Sequence, residues 1–158
     1  MLDYLLNKLS KYIKIEDPGK LLTKTYMELR PDNVVFAEQF LGKEEVKDKV
    51  YLTTMLGVNP INTPWCAAFV NMVEKQCGRS GTGKMLARSF LKYGRIVSTP
   101  QLGDIVIFKR GNSSWQGHVG YYITSTHDTV TSLGGNQSNS VCYANYLKSS
   151  VLGYRRPI

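Results

Sequence analysis

At Pro100 the hydrophobic period of this chain changes, and that change constrains the fold more than any single motif. Before it, apolar residues recur at helical spacing. "MLDYLLNKLSKYIKI" carries Leu2, Leu5, Leu6, Leu9 and Ile13, and residues three and four apart share one face of a helix. "RPDNVVFAEQFLG" opens on Pro31 and stops at Gly42, as a helix should. "KEEVKDKVYLTTMLG" predicts a further helix, and "KMLARSFLKYG" another, closed by Gly94. After Pro100 come short β-forming runs between Gly, Asn and Ser turns: "GDIVIFKRG", "GHVGYYIT", "DTVTSLGG", "SVCYAN" and "VLGYRR". Helices first and strands afterwards predict an α+β domain with an antiparallel sheet. The Pro18-Gly19 turn breaks the first helices. The expected division is a helical extension over 1–31 and the main domain over 32–158.

Charge is unevenly placed. The net +8 belongs to residues 61–158, where Glu74, Asp104 and Asp128 are the only acids; residues 1–60 are neutral. Such a field favours anionic partners. No basic run interleaved with aromatics marks a nucleic-acid module, so nucleic acid is not the expected partner. No apolar run approaches the roughly 20 residues of a membrane span, so no stable membrane insertion is expected. The amphipathic start lacks the apolar block and cleavage site of a signal peptide. The expectation is synthesis in a cytoplasm without general secretory export.

Three cysteines, Cys66, Cys77 and Cys142, cannot all pair. Cys66 and Cys77 lie on one expected helix, roughly 16 Å apart at 1.5 Å per residue, beyond disulfide reach. With only His118 and His127, and no CxxC, neither a metal nor another cofactor is expected.

"TPWCAAFV" decides the functional reading. Cys66, Phe69, Val70, Val73 and Cys77 fall on one helical stripe. Thr63 precedes a proline, which disfavours helix there, and Pro64 suits a first turn. Cys66 therefore opens the helix, where the dipole and free N–H groups stabilise a thiolate. Cys77, at the other end, is expected to be inert. In "GHVGYY", His118 starts a strand on the face opposite Val119 and Tyr121, between glycines that permit close approach. An imidazole at a sheet edge can meet the N-terminus of a helix packed on that sheet. An orienting group for the imidazole is sought in "LGGNQS", at Asn136 or Gln137, with Asp104 and Asp128 as acidic rivals. "GRSGTGKM" almost spells a phosphate-binding loop, but Met85 replaces the metal-binding hydroxyl and the loop follows a helix instead of a strand.

The order Cys, His, polar orienter resembles papain-like cysteine hydrolases. "PWCAAFVN", "GTGKMLARSFLKYG", "GDIVIFKRG", "GHVGYY", "LGGNQSN" and "LGYRRP" together resemble the CHAP and NlpC-type cysteine amidases and peptidases, and among them phage and prophage peptidoglycan hydrolases. The resemblance covers about 33–158. It implies a papain-like fold, with the nucleophile helix packed on the C-terminal sheet. It implies Cys66 as nucleophile, His118 as base and Asn136 as orienting residue. Trp65, Trp115 and Gln137 are then expected along the substrate groove. Such families often carry an acidic residue where this chain has Asn62. The implied substrate is bacterial peptidoglycan, attacked at an amide bond by a monomer at the cell wall. The alternatives are an injected toxin-type cysteine peptidase or deamidase, and a non-catalytic wall-binding or phage structural module.

Overall fold

The computed structural model describes residues 29–158. The chain divides into Met1–Arg30 and Pro31–Ile158, and the expected N-terminal helices lie outside the described residues. Among the described residues three α-helices come first: α1 (Asp32–Glu38), α2 (Lys49–Leu56) and α3 (Cys66–Gln76). Six strands follow: β1 (Arg95–Val97), β2 (Ile105–Lys109), β3 (Gly117–Ser125), β4 (Thr129–Gln137), β5 (Ser140–Leu147) and β6 (Val151–Arg156). They form one sheet in the order β1-β6-β2-β3-β4-β5, antiparallel throughout. The fold is α+β, consistent with the papain-like arrangement.

Helix α3 is the centre of the structure. It was expected to be amphipathic, yet every residue from Cys66 to Glu74 is buried. Neighbours cover it on all sides: α1 and α2, the sheet, and the loop after Gly78. One layer of core joins Phe69, Val70 and Val73 to Ile105, Ile107, Val119, Tyr121 and Leu133 of the sheet. The side chains between these positions face the other way, as a period of two requires. There Val106, Phe108 and Val130 form a second core under Tyr122, Tyr146 and Tyr154. β2 is thus covered on both faces, which explains its unbroken apolar run. The exposed edge of β5 is closed at one end by the 42–45 segment: Gly42 N–H donates to Val141 O, and Val141 N–H to Lys43 O. Such cover removes open donors and acceptors from a sheet edge.

Two expectations need correction. "KMLARSFLKYG" forms only a 3-10 turn, Ala87–Lys92, and Gly94 (φ 62°) then turns the chain into β1, a strand not foreseen. The expected helix over "KEEVKDKVYLTTMLG" starts late, at Lys49. Glu44 instead bridges to Ser140 and residues 45–48 form a turn, held by Asp48 accepting from Lys43 Nζ (2.9 Å) and Glu44 N–H (3.0 Å).

Candidate active site

Cys66 is the first residue of α3, and the preceding Trp65, at φ −112° and ψ 11°, is not yet helical. Its thiol is almost covered, at 4 % residue exposure. Burial pushes the Cys66 thiol up from its ordinary value. The N–H of Val119, the charge of Arg110 and the N–H groups of Ala67 and Cys66 itself pull the other way. The contact with Val119 has a topological origin. β3 pairs with β2 from Gly117 but with β4 only from Tyr121. On its β4 side the start of β3 is therefore open, and the N-terminus of α3 reaches that backbone.

His118, one residue before Val119, is fully buried. Its ring stacks on Tyr146 (5.2 Å between centroids) and Phe108 (6.1 Å) in the second core. Gln137 fixes its tautomer. The Gln137 Nε2 donates to the carbonyls of Ser132 and Cys142, so Oε1 must face donors. Oε1 accepts from the Tyr146 hydroxyl (3.1 Å) and from His118 Nε2 (2.9 Å). Nε2 therefore carries the proton, and Nδ1 keeps its lone pair. An arginine NH2, which can only donate, lies 3.4 Å from Nδ1 and belongs to Arg110. Burial is the main cause that lowers the His118 pKa to about 4, with Arg110 adding to it and the Gln137 bond opposing it. At neutral pH the ring is neutral, with Nδ1 toward Arg110.

The amide that meets the His118 ring is thus Gln137, where Asn136 was expected. The reason is a β-bulge. β4 and β5 pair regularly to Gly134↔Cys142, then jump to Gln137↔Ser140, so β4 holds one extra residue. Asn136 absorbs it at φ 58°. The rivals are engaged elsewhere: Asp104 makes two bonds to Arg156, both 2.9 Å, and Asp128 pairs with exposed His127 at 2.6 Å.

Trp65 is corrected as well. It is 0 % exposed and offers no surface to a substrate. Its indole Nε1 donates to Glu45 Oε2 at 3.2 Å. Its ring lies so close to β4 that a Cβ at Gly135 would come within 2.5 Å of it. Trp115 is different. It is 62 % exposed and lines a cleft of about 260 Å³ together with Cys66, Pro64, Met85, Leu86 and Arg110. Arg88 ties the two walls of this cleft, donating to Gln116 O (2.7 Å) and Ser113 O (2.6 Å). Arg110 and Tyr146 were missed in the sequence. Arg110 directly follows β2, whose Phe108 pairs with His118, so only the strand register could have found it.

The glycine-rich loop also acquires a role. Asn71 of α3 fills it, its Oδ1 accepting from Thr82 N–H (2.7 Å) and Gly83 N–H (3.0 Å) and its Nδ2 donating to Lys84 O (2.9 Å). A phosphate would need those same N–H groups. Gly81, at φ 64°, leaves no room for a Cβ beside Asn71 Oδ1. The loop delivers Met85 and Leu86 to the cleft wall.

Residues 58–136 match the family model of the CHAP domain. No curated protein matches the chain. The family match indicates an amidase- or peptidase-type hydrolase acting on peptidoglycan.

Proposed function

Because the chain belongs to the CHAP domain family, we propose that it cleaves an amide bond of bacterial peptidoglycan, in the manner of a phage lysin, with Cys66 as nucleophile. The observation that carries this is the locked imidazole. Gln137 holds the proton on Nε2, which leaves the Nδ1 lone pair toward Arg110, a residue of the cleft wall that Cys66 also lines. A buried thiol and a neutral imidazole describe a resting site without preformed charge. Nδ1 takes the thiol proton as sulfur attacks the carbonyl carbon. The oxyanion forms beside the N–H groups that begin α3. His118 then passes the proton to the leaving amine, a thioester remains, and water deprotonated by Nδ1 hydrolyses it.

The charge balance supports a wall substrate. Glu74 and Asp104 each neutralise one arginine, Arg79 and Arg156, and the remaining charge of residues 61–158 is strongly basic. Stem-peptide carboxylates and other envelope anions would be drawn to it. The test is digestion of purified peptidoglycan, with the new ends identified by mass spectrometry. Paired new amino and carboxyl ends, absent with Cys66→Ala, are expected. Ends at the lactyl–alanine bond assign an amidase, and ends within the stem or cross-bridge an endopeptidase. New reducing sugar ends without amide cleavage would refute the reading.

A further inference from the structure

Arg110 is an exposed cation in the wall of the cleft that holds Cys66. Among the described residues its guanidinium makes one hydrogen bond, to Nδ1 of His118 at 3.4 Å, and meets no carboxylate. The other arginines around the core are committed: Arg79 to Glu74 and Asp32, Arg156 to Asp104, Arg88 and Arg155 to backbone carbonyls. A guanidinium has five donors in a planar fork that matches a carboxylate. Here that fork stands beside the nucleophile with most of its donors unused. Structural need does not account for this placement, since the residue sits in a turn before Gly111 (φ 55°) and packs in neither core.

We propose that Arg110 is the specificity residue of this site, reading a substrate carboxylate next to the scissile amide. Its place in turnover rests on the role of Cys66 and His118 proposed above. A carboxylate in the cleft competes with Nδ1 for the guanidinium. Binding such a group draws Arg110 off the base and leaves Nδ1 for the thiol proton. The substrate class is therefore a peptide amide flanked by a free carboxylate, as opposed to an amidated one.

The first test needs no turnover. Cys66 is alkylated with iodoacetate and with iodoacetamide, and the modified cysteine is identified by peptide mass. Rates are normalised to a small free thiol. In the wild type the anionic reagent should be favoured about threefold or more, the worth of one partly exposed ion pair. R110Q should abolish the preference, R110K should keep part of it, and K109Q, a neighbouring charge outside the cleft, should leave it intact. An unchanged ratio in R110Q, or an equal fall in K109Q, overturns the proposal. The second test uses stem-peptide fragments with free or amidated carboxylates. The wild type should prefer the free acid, and R110Q should lose the preference mainly through KM. An equal loss on both substrates overturns the proposal. No cleavage of any fragment, with the alkylation preference retained, would count against the peptidoglycan reading and for Arg110.

Discussion

Helix α3 has a buried polar cluster at each end, and the two differ in what they leave unsatisfied. At the C-terminal end Glu74 accepts from Arg79 (2.6 Å), Tyr93 (2.9 Å) and Tyr121 (2.9 Å). Burial and the Glu74 charge push Tyr93 up to about 12 and Tyr121 well above its ordinary value, so both hydroxyls stay donors. Nearby, burial and the Asp32 charge push Cys77 up to about 11. This end carries charge, is saturated with partners and is chemically quiet. At the N-terminal end His118 and Cys66 are neutral, and only the Nε2 side of the ring is firmly held. Nδ1 has a long contact to an exposed arginine. Under the proposed function, this spare valence, next to an arginine of the cleft wall, is what separates a reactive cluster from a structural one.

The sharpest way to break this contrast is at its two ends. Cys66→Ala should lower hydrolysis of purified peptidoglycan more than about 10³-fold while the thermal midpoint stays within a few degrees. A variant that keeps activity would erase the distinction. Glu74→Ala should do the reverse, costing about 3–5 kcal/mol in urea denaturation, because Arg79 and two buried hydroxyls lose their acceptor. A loss below about 1 kcal/mol would mean that the cluster is not a structural anchor.

Acid should act on the reactive end through His118. Its folded pKa of about 4 lies below the unfolded value of about 6.5, so the unfolded chain binds more protons between the two. The fold should keep its full stability above pH 6.5 and lose about 3 kcal/mol as pH falls through 4. Urea midpoints at pH 7, 5 and 4 measure this, and His118→Gln should remove that part of the slope. Smaller again is the orienting amide. Gln137→Ala should reduce kcat about 10- to 100-fold, as loss of an orienting partner does at comparable sites. Gln137→Glu should move the acidic limb of the rate profile upward, since a carboxylate on Nε2–H favours the imidazolium. Identical pH profiles for wild type and Gln137→Glu would remove Gln137 from the site. The mildest change is Trp115→Ala on the exposed rim, expected to raise KM less than about tenfold, read from initial rates on soluble fragments, with stability unchanged within ±0.5 kcal/mol.

The sequence showed the α+β order and the places of Cys66 and His118 because each follows from local rules. A proline sets the start of a helix, and period-two alternation sets the face of a strand. It misjudged what depends on non-local register. Asn136 and Gln137 are neighbours on opposite faces, and only the bulge decides which one meets the imidazole. Trp65 was expected along the groove and lies in the core. The paired glycines 134–135 were the available signal, since a strand without Cβ atoms lets a large ring approach. Glu74 was visible only as a charge, although an acid inside an apolar run of a buried helix signals a paired carboxylate.

The bulge in β4 has a consequence for how this chain tolerates change. The hairpin beyond it turns through Ser138 and Asn139, both at positive φ, and exchanges there for other residues at ease in that conformation would leave the register intact. Loss of a single residue at 135 or 136 is another matter. It would restore a regular ladder and turn Gln137 to the opposite face, with every other residue of the site still present. The integrity of the site is thus written in residue count as much as in residue identity. Insertions and deletions between Leu133 and Ser140 should be more damaging to it than most substitutions there.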